Sequence, residues 1–354
     1  MKTAVIQAAD AARWQEALGR FVDGDIYFLP AYHRAYELNG DGTALAFCAE
    51  EGANCLFYPF MLRSIERVGS ERVTEPYCDL ETVYGYSGPL STTNEPEFLA
   101  LAWQAFTQWC RDQRVVAEFI RFNPFLASQH WAAPESQVIL DRQTVVVRLD
   151  GTEADLWSAY PPVQRRNIRK ALRSGLIAEA VPVEQGLGTF QILYASTMDR
   201  LGSTAYYYFS PAYFASWGQQ LAQHTKLLVV RQGDQWAAAG LYLLYGDRIH
   251  YHLGASDGRY RDSAANNLLH HAVARWGQAA GYRWLHLGGG RTPDPGDSLL
   301  RFKASFSNAR LDFYVGRRVH DPSTYADLCA AWTRQVSAQR RPNYFLLYRL
   351  AVEA

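Results

Sequence analysis

The chain has 354 residues, 48% hydrophobic and 20% charged, a globular balance that excludes an intrinsically disordered protein. Its 35 Lys+Arg are matched by 35 Asp+Glu, which argues against wholesale wrapping of nucleic acid, so an anionic partner has to be met by a local basic patch. The length exceeds one ordinary core and suits about two domains.

In chain order, "DAARWQEALGRF" (10–21) has helical spacing, and "PAYHRAYELNG" (30–40) opens on Pro and stops at Asn-Gly, the punctuation of a short helix. Strand-like runs follow at 44–50, 54–65 and 72–80, then a strongly amphipathic helix at 96–113 and strands at 116–125 and 143–149. The pattern then restarts. A short helix at 152–160 is broken by Pro161-Pro162. A basic helix at 163–175 ends at Gly175, a left-handed cap, with Ile168 and Leu172 expected on its inner face. A helix at 189–202 precedes three strands, 226–232, 235–246 and 248–256, joined by tight glycine turns. The segment 262–282 is the best helix, with Ala265, Leu268, Leu269, Ala272, Val273 and Trp276 as its buried stripe, and 283–289 is the strand after it. Helices and strands interleave twice, so the fold class is mixed α/β (α+β) in two tandem domains, divided near residue 148. "FLALAWQAFTQWCRDQRVVAEFIRFNP" and "NLLHHAVARWGQAAGYRWLHLGG" echo each other, which points to duplication of one unit.

Cys48, Cys55, Cys78, Cys110 and Cys329 are scattered and show no CxxC pair, so neither zinc-ligand spacing nor a disulfide framework is read from them. Reduced thiols in a cytoplasmic protein are the expectation. The opening "MKTAVIQAADAARW" shows no signal peptide, and the most apolar window, 236–246, falls far short of the roughly 20 residues of a membrane-spanning helix.

Among constellations that could carry chemistry, "GYSGPL" (85–90) nearly forms a nucleophile elbow at Ser87, but Pro89 replaces the last glycine and the strand–elbow–helix setting is missing. His250 and His252 stand two apart on a strand and share a face, without a third metal ligand in sight. His270 and His271 point apart on a helix and receive no role. "QRRNIRKALR" crowds Arg165, Arg166, Arg169, Lys170 and Arg173 on one helix, either a solvated face or a phosphate contact. In "DRLGSTAYYYFS", an extended segment would put Tyr206 and Tyr208 on one face with Tyr207 opposite. "LHLGGGRTPDPGDSLLRFKASF" (285–306) fails the phosphate-loop pattern, because Arg291 rather than Lys-Ser/Thr follows Gly290. Its Gly288, Gly289 and Gly290 permit close backbone approach, and Lys303 lies in an apolar flank where a charge is costly unless it is paired or faces a ligand.

Taken together, "YGYSGPL", "RRNIRKALRSGL", "FQILYASTMDRLG" and "LHLGGG…LLRFKASF" resemble, in order and spacing, the motifs of the Fem family. These are the aminoacyl-tRNA-dependent peptidyltransferases that build peptidoglycan cross-bridges. The resemblance spans about residues 25 to 320. It implies two tandem acetyltransferase-like (GNAT) domains, 1–148 completed by 314–354 and 149–313, with a substrate cleft at or near their junction. It also implies transfer of an acyl or aminoacyl group to an amine of a cell-envelope or polysaccharide precursor. By motif match Arg200 would contact phosphate and Lys303 would stabilise charge near the acyl carbonyl. The motifs do not name the base that takes the amine's proton; Asp199 and His252 are its candidates.

Substrate contacts are expected from Arg200, Tyr206, Tyr208, Tyr86, Ser87, Tyr251, Arg165 and Arg169. Donor contacts are expected from Gly288–Gly290, Arg259, Arg261, Asn266 and Asn267. The chain departs from the family in two respects: Ser87 replaces the family's basic residue, and a helical hairpin thought to meet tRNA has no room here. "GRYRDSAANN" also lacks the glycine pair of an ordinary acetyltransferase pyrophosphate loop. No tightly bound cofactor is implied. The donor is either acyl-coenzyme A or aminoacyl-tRNA, and the partners are a small-molecule or nucleotide-linked precursor and, with the second donor, tRNA. The alternatives are an ordinary acyl-coenzyme A N-acetyltransferase acting on a small amine, or a non-catalytic ligand-binding member of the fold.

Overall fold

In the computed structural model, which describes residues 1–337 and 341–352, the chain forms two units: Met1–Asp141 with Phe313–Ala354, and Arg142–Asp312. The sequence boundary near 148 differs because strand Gln137–Arg148 is continuous and the division falls inside it.

The sheet of the first unit runs in the order Lys2–Gln7, Thr43–Glu51, Asn54–Ser64, Cys78–Glu81, Val115–Arg121 and Arg310–Val319. Every neighbouring pair is antiparallel except Cys78–Glu81 with Val115–Arg121. Residues 44–49 and 55–61 are apolar without alternation apart from Pro59, which suits strands covered on both faces. Helix Pro96–Asp112 opens with proline in its first turn, where a missing N–H costs nothing, and buries Phe98, Trp103 and Phe106 against Phe47, Tyr58 and Phe60. Later in the chain, helix Pro322–Gln335 sets Leu328 and Trp332 on Ile65, Val68 and Val116. Arg349 then reaches fully buried Asp79 through Nε (2.8 Å) and Nη2 (2.9 Å), and Arg63 Nε donates to the same carboxylate at 2.9 Å.

The second unit repeats this plan. Its order is Ile177–Val181, Thr225–Gln232, Gln235–Tyr245, Arg248–Ser256, Trp284–Gly288 and the second-unit part of Gln137–Arg148. Only Arg248–Ser256 and Trp284–Gly288 are parallel, and helix Ala265–Ala279 is the crossover a parallel pair requires. Leu268, Leu269 and Val273 of that helix meet Val145, Val147, Ile249 and Leu285 in the core. In each unit, an antiparallel meander leads into one parallel pair joined by a long helix, the echo visible in the sequence.

Several elements differ from expectation. The run 72–80 breaks into Glu71–Arg72 and Cys78–Glu81, since Pro76 has no N–H for a ladder. The helix expected at 189–202 begins at Val183, its first turns disguised by Gly186 and Gly188; a Cβ on Gly186 would strike Leu227. Strands Lys2–Gln7, Ile177–Val181 and Arg310–Val319 and helices Pro211–Gln219 and Pro322–Gln335 were not expected. On helix Pro162–Arg173 the inner face is Gln164, Ile168 and Ala171, and Leu172 is 53% exposed: its position lies outside the arc that faces the core. The stripe of helix Ala265–Ala279 shifts likewise, burying His270, His271, Ala274 and Gly277 while Trp276 is half-buried beneath Lys226. Tyr206 and Tyr207 lie in a 3-10 turn with their rings edge to face, not in an extended segment, so the expected alternation does not apply.

Candidate active site

Strand Trp284–Gly288 ends with Gly288 at φ +74°, and the chain then loops back into the short helix Ser298–Ala304. Asp297 holds this loop together. Its Oδ1 accepts from the amides of Leu299 and Leu300 (both 2.9 Å) and caps the helix, while its Oδ2 accepts from Arg291 N (3.2 Å) and Thr292 N (3.3 Å). These donated hydrogen bonds hold its carboxyl below the usual carboxylate range. A Cβ on Gly290 would fall 2.5 Å from Asp297 Oδ1, so a larger residue there would have to displace that carboxylate. Arg142 closes the other side, its Nη1 donating to Gly290 O at 2.9 Å.

The folded loop places Lys303 indoors. Its side chain is only 7% exposed, Nζ donates to Gly289 O at 2.7 Å, and Nζ lies 5.8 Å from the centre of the Tyr251 ring. No carboxylate among the described residues lies within ion-pair distance of it. Burial pushes its pKa down from 10.5 to about 7, Asp297 opposes that and Arg142 adds to it. The amine is therefore divided between charged and neutral forms near neutrality, a poise suited to chemistry.

Tyr251 is aimed by a β-bulge. Leu241 pairs with Leu253 but Tyr242 pairs with Tyr251, so His252 is an extra residue in its strand. The Tyr251 hydroxyl lies over Gly254, where any Cβ would collide with it. Burial pushes its phenol up to about 12. Beneath it, His270 meets the Tyr251 ring edge-on at 4.6 Å and shares a 3.3 Å hydrogen bond with Tyr242 Oη. Burial, and then the charge of Lys303, lowers the His270 pKa to about 3, so this imidazole is neutral.

Lys303, Gly288–Gly290 and Tyr251 therefore come together in the second unit. His252 is turned to Tyr213 Oη (2.7 Å) and the Trp217 ring (5.0 Å), and its pKa is lowered to about 3, first by burial and then by His250. His250 pairs instead with His286 at 3.2 Å between Nδ1 atoms.

Arg200 is exposed and donates to Ser256 O (3.0 Å) and Ser256 Oγ (3.1 Å). Tyr208 donates to Asp199 at 2.8 Å. Arg200 thus engages Ser256 and Lys303 faces the ring of Tyr251, two different positions of strand Arg248–Ser256. Arg259 is engaged with Asp257 (2.6 Å) and Gln235 (3.2 Å).

Arg165 donates to Tyr160 O (2.8 Å), and Arg169 lies over the Trp157 ring. Asn267 donates to buried Gln164 at 2.8 Å, and Ser305 donates to the same Gln164 oxygen at 3.1 Å, tying the start of helix Ala265–Ala279 to the end of the lysine helix. Asn266 is half-buried beside it, and Arg261 is exposed. Tyr86 and Ser87 belong to the first unit, Tyr86 between the rings of Tyr27 and Phe313, and Ser87 fully buried with its carbonyl accepting from Ser128 Oγ. A hollow of about 210 Å³ in the first unit, lined by Glu71, Tyr77, Asp327 and Leu328 among others, contains none of these residues.

Sequence reasoning missed His270, Asp297 and Arg142. The Asp-Ser-Leu-Leu start of the lysine helix is the one local signal, an N-cap residue just before an apolar pair.

Residues 163–304, from the basic helix to just past Lys303, match the acetyltransferase (GNAT) domain family. At the level of class, most of the second unit is thus similar to a GNAT-type acetyltransferase domain. Over the whole chain the fold is Fem-like: FemX superposes with a TM-score of 0.67 at 15% identity, covering 92% of this chain and 99% of its own. L-PGS from Bacillus licheniformis gives 0.56 at 12% identity, with coverage of 87% and 92%. A C-terminal domain (DUF2156) assigned to a lysylphosphatidylglycerol synthetase from Agrobacterium fabrum gives 0.56 at 16% identity, with coverage of 94% and 98%. Among curated proteins, none matches the chain in sequence. No helix among the described residues is long and apolar enough to cross a membrane.

Proposed function

We propose that the protein transfers an acyl or aminoacyl group to an amine of a cell-envelope or polysaccharide precursor. The observation that carries the reading is Lys303, a buried amine held on the glycine loop of a GNAT-type segment with its pKa near 7. In this mechanism the neutral acceptor amine attacks the donor's ester or thioester carbonyl. The oxygen becomes an oxyanion, charged Lys303 and loop N–H groups stabilise it, and collapse expels the alcohol or thiol. The acceptor's proton leaves to a base; His252, turned to Tyr213 Oη and with its pKa lowered to about 3, is unsuited to that role, which leaves exposed Asp199 as the candidate.

For the donor's phosphates the chain offers the start of helix Ala265–Ala279. Ala264 there is left-handed (φ +61°) and no side chain caps the helix, so its first amides and Arg261 can face an anion. This suits acyl-coenzyme A and the terminal phosphates of aminoacyl-tRNA alike. The test is transfer of labelled acyl groups from acetyl-coenzyme A, longer acyl-coenzyme A and charged tRNA to amine-bearing precursors. Transfer from one donor class, lost in Lys303→Ala, supports the reading. Binding of donor and precursor without any transfer would favour a ligand-binding protein.

A further inference from the structure

The first unit contains a second chemical cluster, made of residues outside the lysine site. Strands Thr43–Glu51 and Asn54–Ser64 are joined by the tight turn Gly52–Ala53, and the register sets Glu51 opposite Asn54 and Glu50 opposite Cys55. Cys48 precedes Glu50 by two residues and so shares its face of the sheet, and Cys55 joins them there as the cross-strand partner of Glu50. The hairpin thus gathers two thiols and a carboxylate that the sequence leaves seven residues apart. Cys48 Sγ lies 3.8 Å from Cys55 Sγ and 3.6 Å from Glu50 Oε1, and the three ligand atoms all lie within 4.8 Å of one another.

We propose that Cys48, Glu50 and Cys55 form a binding site for one zinc-class divalent cation, with the fourth position open to water. Two sulfurs each about 2.3 Å from a tetrahedral zinc stand about 3.8 Å apart, and a sulfur and a carboxylate oxygen about 3.6 Å apart. Two of the three edges already have these lengths. The third closes by rotation of Glu50, whose side chain is 38% exposed, while both cysteines are buried.

The charges also balance. Binding releases the two thiol protons, so two thiolates, one carboxylate and a divalent ion sum to −1. Arg20 supplies the compensating +1, with Nη1 3.2 Å from Glu50 Oε1 and Nη2 donating to Gly52 O at 2.9 Å. A disulfide fits the pair less well. Cys48 and Cys55 are diagonal neighbours, typically about 7–8 Å apart across a sheet, beyond the roughly 6.8 Å reach of an ordinary bridge.

The test is titration of the reduced full-length protein with Co(II), followed by competition with Zn(II). One equivalent should give a thiolate-to-cobalt charge-transfer band and tetrahedral d–d bands, both erased by zinc. The double variant Cys48→Ser/Cys55→Ser should lose the charge-transfer band, and Cys329→Ser should keep it. Arg20→Gln, at a half-exposed position the fold tolerates, should keep the bands with affinity about 10- to 100-fold weaker. Absence of a charge-transfer band in the reduced wild type would overturn the site. So would a band that survives the double variant or an affinity unchanged by Arg20→Gln.

Discussion

Lys303→Met separates a catalytic amine from a structural one. With an ordinary value of 10.5 and a folded value of about 7, charging this amine inside the protein costs roughly 4–5 kcal/mol below pH 7. Methionine removes that cost and loses the charged hydrogen bond to Gly289 O, worth about 1.5–3 kcal/mol. The variant should therefore be more stable than the wild type at pH 6 by roughly 1–3 kcal/mol. Between about pH 7 and 10.5 the unfolded chain holds a proton that the folded chain lacks, so the wild type gains stability as pH rises and the advantage of methionine fades. Over the same substitution, transfer should fall about 10²- to 10³-fold, the usual loss on removing one oxyanion donor. Urea unfolding at pH 6 and pH 10, beside single-turnover transfer, measures both. A variant that transfers at the wild-type rate, or is less stable at pH 6 than at pH 10 relative to wild type, refutes the reasoning.

If charged Lys303 is the working form, kcat/KM should decline as pH rises through about 7, and that limb should vanish in Lys303→Met; a pH–rate profile decides. Gly254→Ala should push Tyr251 off its place, costing about 1–3 kcal/mol in thermal unfolding and lowering kcat more than it raises KM. Asp297→Ala should cost about 0.5–2 kcal/mol by denaturant titration, with faster amide hydrogen exchange at Arg291 and Thr292. Asp79→Ala removes the buried carboxylate shared by Arg63 and Arg349, leaving them Glu81 and the carbonyls of Arg63 and Ser64, and should cost about 1–3 kcal/mol in chemical denaturation, more than an exposed pair such as Arg114–Glu75.

The parts of the fold that were legible have local causes. Helix Pro96–Asp112 announces itself by periodicity and an opening proline, and the second unit's meander by Gly233 and Gly246, both at positive φ. Lys303 could be singled out because a charge between Phe302 and Ala304 needs a reason. What stayed hidden depends on partners far away in sequence. The bulge at His252 exists only relative to Leu241 and Tyr242 on the next strand, so alternation alone misassigns the residues around it. His270 looks idle on a helical wheel until Tyr251 and Tyr242 close over it. Ile177–Val181, mixed in polarity and at the sheet's edge, has no pattern of its own. Cys48 and Cys55 have no recognisable metal spacing because a hairpin register, rather than a helix turn or knuckle, brings them together.

The return of the chain from Phe313 into the first unit sets an order of events during synthesis. Residues 142–312 are contiguous, so they can fold as soon as they clear the ribosome, whereas Arg349, one of the two arginines on Asp79, and the strand that pairs with Val115–Arg121 emerge after them. The amino-terminal half of the protein must wait for its own completion while the later half matures first. Removal of the segment after Asp312 should accordingly unravel the first unit and leave Lys303 buried in the second.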